Sequence, residues 1–235
     1  LLSAEETRTR TGTGRFHGAL LDPRAGTIQP LAYARGLARA ARSAGASVHE
    51  RSPVISASFA NGAWSLVTDQ GSLSAGALLV ATNAYHTGLA DMPTPAMPVV
   101  QFYQLATEPA GDNRAGEILA GGEGCWDTGM VMTSLRRDGA GRIILGCMGS
   151  AAEVHGNWAR RTLRQFFPQS AGLAVEHAWT GRIALTYDKL PRILRIGPRG
   201  FAVFGYSGRG IAPGTGCGRG AARYSPTADE SGATV

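Results

Sequence analysis

The glycine-rich segment Gly205–Gly218 has a composition and a position that could support chemistry. It directly follows residues 201–204, an apolar run typical of a buried strand. Glycines in such a place let the backbone approach a flat or anionic group, and the N–H groups that begin a following helix would point toward it. A purely structural turn explains the same residues equally well. The spacing Gly208-x-Gly210-x-x-x-Gly214 also differs from the GxGxxG pattern of dinucleotide-binding turns.

A second pair of glycines, Gly12-Thr-Gly14, has no apolar strand before it and no helical pattern after it. It therefore fails as a dinucleotide-binding motif, which requires both elements. The sequence contains no other recognisable start of a pyrophosphate-binding β-α-β unit.

Arg182 is the candidate for binding a substrate, because a guanidinium can bind a carboxylate through two parallel hydrogen bonds. It is predicted to lie between two strands. From the residues alone, a surface arginine paired with Asp188 is the favoured alternative. Four aromatic residues could also line a site, but residues of this kind more often belong to a hydrophobic core. They are Tyr103, Trp126, Trp179 and Tyr187.

Composition argues against several other classes of protein. The net charge is +6, but the arginines are scattered and Lys189 is the sole lysine, so a nucleic-acid surface is not indicated. The three cysteines are far apart and show neither a disulfide framework nor zinc-ligand spacing, which favours a reducing, cytoplasmic compartment. The five histidines have no metal-ligand spacing either. No apolar run is long enough to span a membrane. Neither a GxSxG motif nor an evident nucleophile–histidine pair occurs.

The elements that must position these residues are predicted from hydrophobic periodicity and turn residues. Asn61-Gly62 predicts a hairpin, because both positions tolerate positive φ. The run Ala77–Ala81 predicts a strand buried on both faces, and Thr82-Asn83 follows at its carboxyl end, where ligands gather in open α/β sheets. The remaining predictions are helices at 29–44 and 151–167, strands at 46–50, 54–59, 64–68, 99–107, 142–148, 176–180 and 201–204, a proline-rich crossing at 91–98 and a fraying end at 221–235. Together they indicate two interleaved α+β layers.

Five segments, in order along the chain, resemble one family of proteins: Leu21–Ala41, Gly45–Val54, Leu79–Tyr85, Gly181–Pro191 and Gly205–Gly216. They are similar to the FAD-dependent oxidoreductases of the D-amino-acid oxidase superfamily, especially its glycine oxidase, sarcosine oxidase and gamma-glutamylputrescine oxidase group. The resemblance extends over residues 15 to 220.

The resemblance implies FAD as cofactor and an α+β (α/β) fold, in which a discontinuous FAD-binding domain contains an inserted substrate domain with a mixed or antiparallel sheet. Residues 26–87 and 181–220 would form the FAD-binding domain, and residues 1–25 (a strand and loop) and 88–180 the substrate domain. Ten residues would contact FAD: Val54, Ala81, Thr82, Asn83, Gly205, Ser207, Gly208, Arg209, Gly210 and Ile211. Arg182 and Tyr103 would contact an amine or amino acid, which would lose hydride to the flavin and become an imine.

Two departures from the family pattern limit these expectations. The amino-terminal GxGxxG is missing, and Cys217-Gly-Arg-Gly-Ala-Ala is glycine-rich where a helix is expected. The sequence also begins without Met, as though something preceded it. A truncated chain or one piece of a split enzyme is therefore expected, completed by an amino-terminal chain or a second copy. The alternative is a non-catalytic remnant that binds a partner.

Overall fold

The computed structural model describes residues 1–86, 88–89, 97–111, 116–150 and 153–223. The chain divides into two compact units. Unit 1 comprises Leu1–Ala34 and Gln101–Gly181, and unit 2 comprises Arg35–Val100 and the chain from Arg182 onward. The predicted crossing at 91–98 and the predicted fraying end at 221–235 lie largely outside the described residues.

Unit 1 is built on a five-stranded sheet with the order β6-β7-β8-β5-β9. Its elements are α1 (Ala4–Thr11), β5 (Val99–Thr107), β6 (Cys125–Trp126), β7 (Ser134–Arg137), β8 (Ile143–Met148), α3 (Glu153–Phe166) and β9 (Val175–Ala184). Successive strand residues point to opposite faces. One face carries Leu105, Leu135 and Leu145, and its core includes Leu163 and Phe167 at the end of α3.

Unit 2 contains two three-stranded sheets, β1-β2-β3 and β10-β11-β4. Its strands are β1 (Val54–Ala60), β2 (Ala63–Thr68), β3 (Gly71–Ala75), β4 (Leu78–Val80), β10 (Arg192–Gly197) and β11 (Gly200–Phe204). Helix α2 (Pro30–Ser43) enters this unit, and α4 (Ile211–Arg223) follows β11. A shared core joins the two sheets through Trp64, Val80 and Phe204.

Several predicted elements are confirmed. Asn61 and Gly62 have φ of 53° and 80° and join β1 to β2. Helix α2 begins at Pro30, and the following Gly45 is left-handed, with φ of 91°. The mixed helix-and-sheet class is confirmed as well.

Other predictions about elements are wrong. Residues 1–25 were expected to be strand and loop, but Ala4–Thr11 is a helix, because Ser3 and Glu6 form a reciprocal capping box. Residues 46–50 are not a strand. Leu79 is 42% exposed whereas its neighbour Val80 is buried, so this strand is covered on one face and not on both.

The carboxy-terminal helix is better formed than its composition suggested. Residues Ile211–Arg223 are helical despite Pro213 and four glycines. Pro213 lies in the first turn, where the missing N–H would have no intrahelical acceptor. Strands β3, β6, β7 and β10 were not predicted.

Candidate functional site

The carboxyl ends of β4 and β11 lie side by side at one edge of the β10-β11-β4 sheet of unit 2. The two strands are parallel neighbours, with Gly200 beside Leu78 and Ala202 beside Val80. This pairing brings together two segments that lie far apart in the sequence. The Gly205 N–H donates to Asn83 Oδ1 at 3.0 Å. Asn83 therefore connects the end of β4 to the glycine turn after β11.

Replacing Asn83 tests this link. Asn83→Ala leaves the buried Gly205 N–H without its acceptor and places alanine at φ of 46°, so we expect a loss of about 1–3 kcal/mol of unfolding free energy. Asn83→Asp keeps an acceptor and tolerates this φ, and Asn83→Gly loses the acceptor alone. Urea unfolding and amide hydrogen exchange at Gly205 measure both effects. Equal exchange at Gly205 in all three variants would contradict the link.

Ser207 fixes the same turn to the end of β9. Its N–H donates to the Ala184 carbonyl at 3.1 Å, and its Oγ accepts from the Thr186 N–H at 3.1 Å. Ser207 has a positive φ of 51°. These contacts of Ser207 stabilise the conformation of the turn. The Arg209 N–H donates to the Tyr206 carbonyl at 2.9 Å and stabilises the same turn.

The turn is open at Gly210 and Ile211. The Gly210 carbonyl accepts from the Gly214 N–H at 2.8 Å, so Gly210 caps helix α4. The N–H groups of Ile211 and Ala212 begin this 13-residue helix and have no intrahelical acceptor. Ile211 is 48% exposed. The positive end of the helix is thus accessible to an anionic or electron-rich group.

Of the other predicted cofactor residues, Ala81, Thr82 and Gly208 belong to the two segments that meet at this edge, and Val54 lies in the other sheet of unit 2. Thr82 Oγ1 and His86 Nδ1 are 3.0 Å apart, and Ala81 is an exposed residue directly after β4. Gly208 has a positive φ of 84° within the turn. Val54 begins β1 and packs against the shared core of unit 2.

Arg182 lies within β9, not between strands as predicted. Its backbone N–H donates to the Tyr85 hydroxyl at 3.0 Å, and its guanidinium carbon is 5.9 Å from the centre of the Tyr85 ring. The alternative pairing with Asp188 is not formed, because that carboxylate binds Arg192 at 2.7 Å. The exposed Arg182 side chain thus lies over an aromatic face.

Tyr103 is part of the unit 1 core. It is 3% exposed and points to the face of the sheet that α3 covers, where Gly156 lies near its hydroxyl. This position favours the core interpretation. Its neighbour Gln104 points to the other face, as strand alternation requires.

That other face lines a cavity of about 1160 Å³ within unit 1. Its wall includes Leu31, Gln104, Ala106, Arg136, Ile144 and Trp179. These residues were not singled out from the sequence. The alternation of apolar and polar residues along β7 and β5 was the available signal.

Most charges of the cavity neutralise one another. Arg142 Nε donates to Glu176 Oε2 at 2.9 Å, and Arg142 also lies 3.9 Å from Asp138. The hydrogen bond from Arg142 holds the pKa of the Glu176 carboxyl below its usual range. Arg136 differs, since its Nη2 donates to the neutral Gln104 Oε1 at 2.7 Å.

Among residues 1–86, 88–89, 97–111, 116–150 and 153–223, no group of three or more His, Cys, Asp or Glu side chains could hold a metal ion. None of the helices described there has the length and apolarity to cross a bilayer.

The fold is similar to that of FAD-dependent oxidases. The chain superposes on glycine oxidase from Geobacillus kaustophilus with a TM-score of 0.80 and 17% identity, covering 98% of this chain and 63% of that one. L-proline dehydrogenase from P. horikoshii gives a TM-score of 0.76 and 20% identity, covering 95% and 63%.

The chain belongs to the FAD-dependent oxidoreductase family, which matches residues 1–224. It is 30% identical over 225 residues to the probable oxidoreductase OrdL of Rhizobium meliloti, covering 93% of this chain and 51% of that protein. It is 29% identical over 223 residues to gamma-glutamylputrescine oxidoreductase of Escherichia coli, covering 90% and 50%. The chain thus spans about half the length of the curated relatives it matches, and the predicted family and FAD dependence are confirmed.

Proposed function

We propose that this chain supplies the flavin-facing and substrate-facing parts of an enzyme that oxidises an amine or amino acid. The observation that carries the proposal is the open start of helix α4, held beside the end of β4 by the hydrogen bond between Asn83 and Gly205. Because the chain spans about half of its curated relatives, the activity of the whole protein is part of the proposal.

The glycines of the turn differ in whether the fold alone requires a glycine at that position. Gly205 has a positive φ of 79° and no room for a Cβ beside Thr186, and Gly208 has a positive φ of 84°. Gly210 has neither constraint, since an added Cβ would meet only Tyr206, at 3.6 Å. Space above Gly210 and free N–H donors at Ile211 fit a flat ring with electron-rich oxygens.

FAD would supply a hydride acceptor for the carbon that bears the amine nitrogen, and water would hydrolyse the imine product. The chain's own contribution is orientation and electrostatics. The positive end of α4 would stabilise negative charge on the ring. The side chains of Asn83 and Ser207 would keep the turn in place.

The domain assignment is part of the same proposal. Residues 26–87 and 181–220 would bind FAD, and residues 1–25 and 88–180 would bind substrate. Arg182 is the candidate substrate contact, and a complementary chain or second copy would complete the enzyme. Three free, well-separated cysteines suit a cytoplasmic location.

A second candidate function is a non-catalytic, partner-binding subunit. Helices α2 and α4 contain no buried residue, and α2 exposes Leu31 and Leu37. Uncovered apolar helix faces are typical of interaction surfaces. A protein of this second kind would self-associate in light scattering and would leave the spectrum of added FAD unchanged.

Gly210→Ala tests the flavin proposal. We expect the full chain to perturb the absorption spectrum of added FAD, and this variant to weaken FAD binding about tenfold, because its methyl group occupies the space of the ring. Gly216→Ala is the matched control, since nothing lies within 4 Å of an added Cβ there. It should bind FAD as the unaltered chain does.

Two results would overturn the proposal. One is an unperturbed FAD spectrum with the unaltered chain, and the other is equal FAD affinity in the Gly210→Ala and Gly216→Ala variants. Urea unfolding of both variants shows whether either substitution acts through stability.

A further inference from the structure

The segment after β4 turns back on itself, so that Thr82 and His86 lie on the same side of the turn. Residues Asn83–Tyr85 form a single 3₁₀ turn, in which the Tyr85 N–H donates to the Thr82 carbonyl at 3.0 Å. The His86 N–H donates to the Asn83 carbonyl at 3.2 Å. This backbone geometry brings the two side chains together, with Thr82 Oγ1 and His86 Nδ1 3.0 Å apart.

The imidazole of His86 is anchored against the core of unit 2. Its ring meets the ring of Phe204 at 84°, with the centroids 5.6 Å apart. Phe204 ends β11, is 2% exposed and belongs to that core. His86 Nε2 is buried, and no atom of the described residues forms a hydrogen bond with it. Within that part of the chain, the imidazole therefore forms its hydrogen bond with Thr82 alone.

The unpaired Nε2 indicates which nitrogen of His86 carries a hydrogen. A neutral imidazole has one N–H donor and one acceptor nitrogen. A hydrogen on Nε2 would be a buried donor without an acceptor, and unpaired buried N–H groups are rarer in proteins than unpaired acceptors. A hydrogen on Nδ1 has an acceptor in Thr82 Oγ1, at 3.0 Å. The contacts of the ring therefore favour Nδ1 as the donor.

This tautomer determines what the hydroxyl of Thr82 can bind. When Oγ1 accepts from His86, the hydrogen of the hydroxyl remains available for another acceptor. Thr82 is exposed, and within the described ranges its Oγ1 has no second hydrogen-bonding partner. With the opposite tautomer, the hydroxyl would donate to Nδ1 and would have no hydrogen left for a ligand. His86 thus makes an exposed hydroxyl at the end of β4 into an available donor.

This donor lies at the edge that carries the candidate flavin site. Asn83, the next residue, accepts from the Gly205 N–H at 3.0 Å, which holds the end of β4 beside the glycine turn. Ligands of open α/β sheets gather at the carboxyl ends of parallel strands. The start of α4 at this edge also carries partial positive charge. An oxygen with negative charge is the acceptor that fits both the hydroxyl and the helix start.

We propose that His86 is a positioning residue for the cofactor. Its Nδ1 donates to Thr82 Oγ1, and Thr82 then donates its hydroxyl to a negatively charged or electron-rich oxygen of FAD. This inference rests on the proposed function for the presence of FAD at this edge. FAD carries such oxygens on its phosphates and on its flavin ring, and the experiment separates these two sources. His86 acts through Thr82, because its Nε2 is buried.

Calorimetric titration of the full chain with FAD, ADP and riboflavin tests the role of the hydroxyl. ADP carries phosphates without the flavin ring, and riboflavin carries the ring without phosphates. Thr82→Val keeps the shape of the side chain and removes the hydroxyl, so it should weaken FAD binding about tenfold. Thr82→Ser keeps the hydroxyl and should not weaken it. The same loss with ADP would assign the acceptor oxygen to a phosphate, and the same loss with riboflavin would assign it to the ring.

Variants of His86 test whether it acts through this hydroxyl. His86→Phe keeps a ring but cannot donate, so the hydroxyl is no longer directed and FAD binding should weaken about threefold. His86→Asn places an amide N–H where Nδ1 lies and should bind FAD as the unaltered chain does. Combined with Thr82→Val, His86→Phe should cause no further loss, because its effect requires the hydroxyl. A purely structural role of His86 would give additive losses.

The matched control is His17→Phe, which removes an exposed imidazole from unit 1 and should bind all three ligands as the unaltered chain does. Urea unfolding checks the folding of every variant. A long-range proton–nitrogen correlation spectrum of the chain without FAD gives a readout that is independent of binding. The chain has five histidines, and the signal that disappears in His86→Phe should show the hydrogen on Nδ1.

Three results would overturn the inference: FAD binding by Thr82→Val as tight as by the unaltered chain, additive losses in the double variant, or a spectrum that places the hydrogen on Nε2. Any of these together with weaker FAD binding by Gly210→Ala than by Gly216→Ala would leave the flavin proposal standing. Equal FAD affinity of the two glycine variants, with weaker ADP binding by Thr82→Val, would refute the flavin proposal and support the role of His86.

Discussion

Replacing Trp64 with alanine will lower the unfolding free energy of unit 2 by about 3–5 kcal/mol. Trp64 is 3% exposed and belongs to the core that joins the two sheets of this unit. Its ring packs edge-on against Phe59 with centroids 5.4 Å apart, and its Nε1 donates to the Pro198 carbonyl at 2.9 Å. The alanine variant loses this packing and leaves the carbonyl without its donor. Urea unfolding followed by far-UV circular dichroism measures the loss.

The variant Gly200→Ala is a control for the packing of the Trp64 ring. A Cβ at Gly200 would overlap the Trp64 ring, so Gly200→Ala alone should destabilise unit 2 by about 1–3 kcal/mol. In the double variant the ring is gone and the methyl group fits the space left behind. The double variant should therefore be more stable than the sum of the two single changes predicts. Strict additivity would show that the ring and the glycine do not contact each other in solution.

Local signals account for the parts of the fold that the sequence predicted. Asn61-Gly62 defines its hairpin through the φ values of two adjacent residues. Pro30 and Gly45 mark the two ends of α2 in the same way. The capping box of Ser3 and Glu6 is also a local signal that can be recognised in the sequence. It explains why a helix forms where a strand and loop were expected.

The parts that were missed depend on contacts between distant residues. The bond between Arg136 and Gln104 joins positions 32 apart, and it exists only because β5 and β7 both pair with β8. Nothing in either strand by itself specifies that register. For the same reason the sequence could not tell that Tyr103 faces the core while Gln104 faces the cavity, since a shift of one residue exchanges the two faces.

The glycine turn combines both kinds of information. Its place after an apolar strand was visible in the sequence, and the parallel pairing of β4 with β11 explains why Thr82 and Asn83 lie beside it. The different roles of its glycines were not visible. Only the positions of Thr186 and Tyr206 show that Gly205 is required by the fold and that Gly210 is not.

Replacing Gly205 with alanine should therefore damage the fold and the candidate flavin site together. The residue has φ of 79°, and an added Cβ would overlap the Thr186 methyl group and lie 3.2 Å from Met97 Sδ. Left-handed strain of about 1–2 kcal/mol adds to an overpacking cost of about 1–3 kcal/mol. Either the turn or the Thr186 side chain must shift to relieve the overlap. We expect urea unfolding to show a loss of about 2–5 kcal/mol, and FAD titration to show weaker binding.

Two further variants separate the causes of that loss. Gly208→Ala imposes similar strain, at φ of 84°, but its Cβ would meet only Ile183, at 3.7 Å, so it should cost about 1–2 kcal/mol. Adding Thr186→Ser to Gly205→Ala removes the overlapping methyl group and keeps the hydroxyl that bonds to the Leu190 carbonyl. The double variant should recover the overpacking part of the loss and no more. If Gly205→Ala and Gly208→Ala prove equally stable, the contact with Thr186 does not constrain the turn, and the link between β9, β11 and the start of α4 is looser than the hydrogen bonds of Ser207 imply.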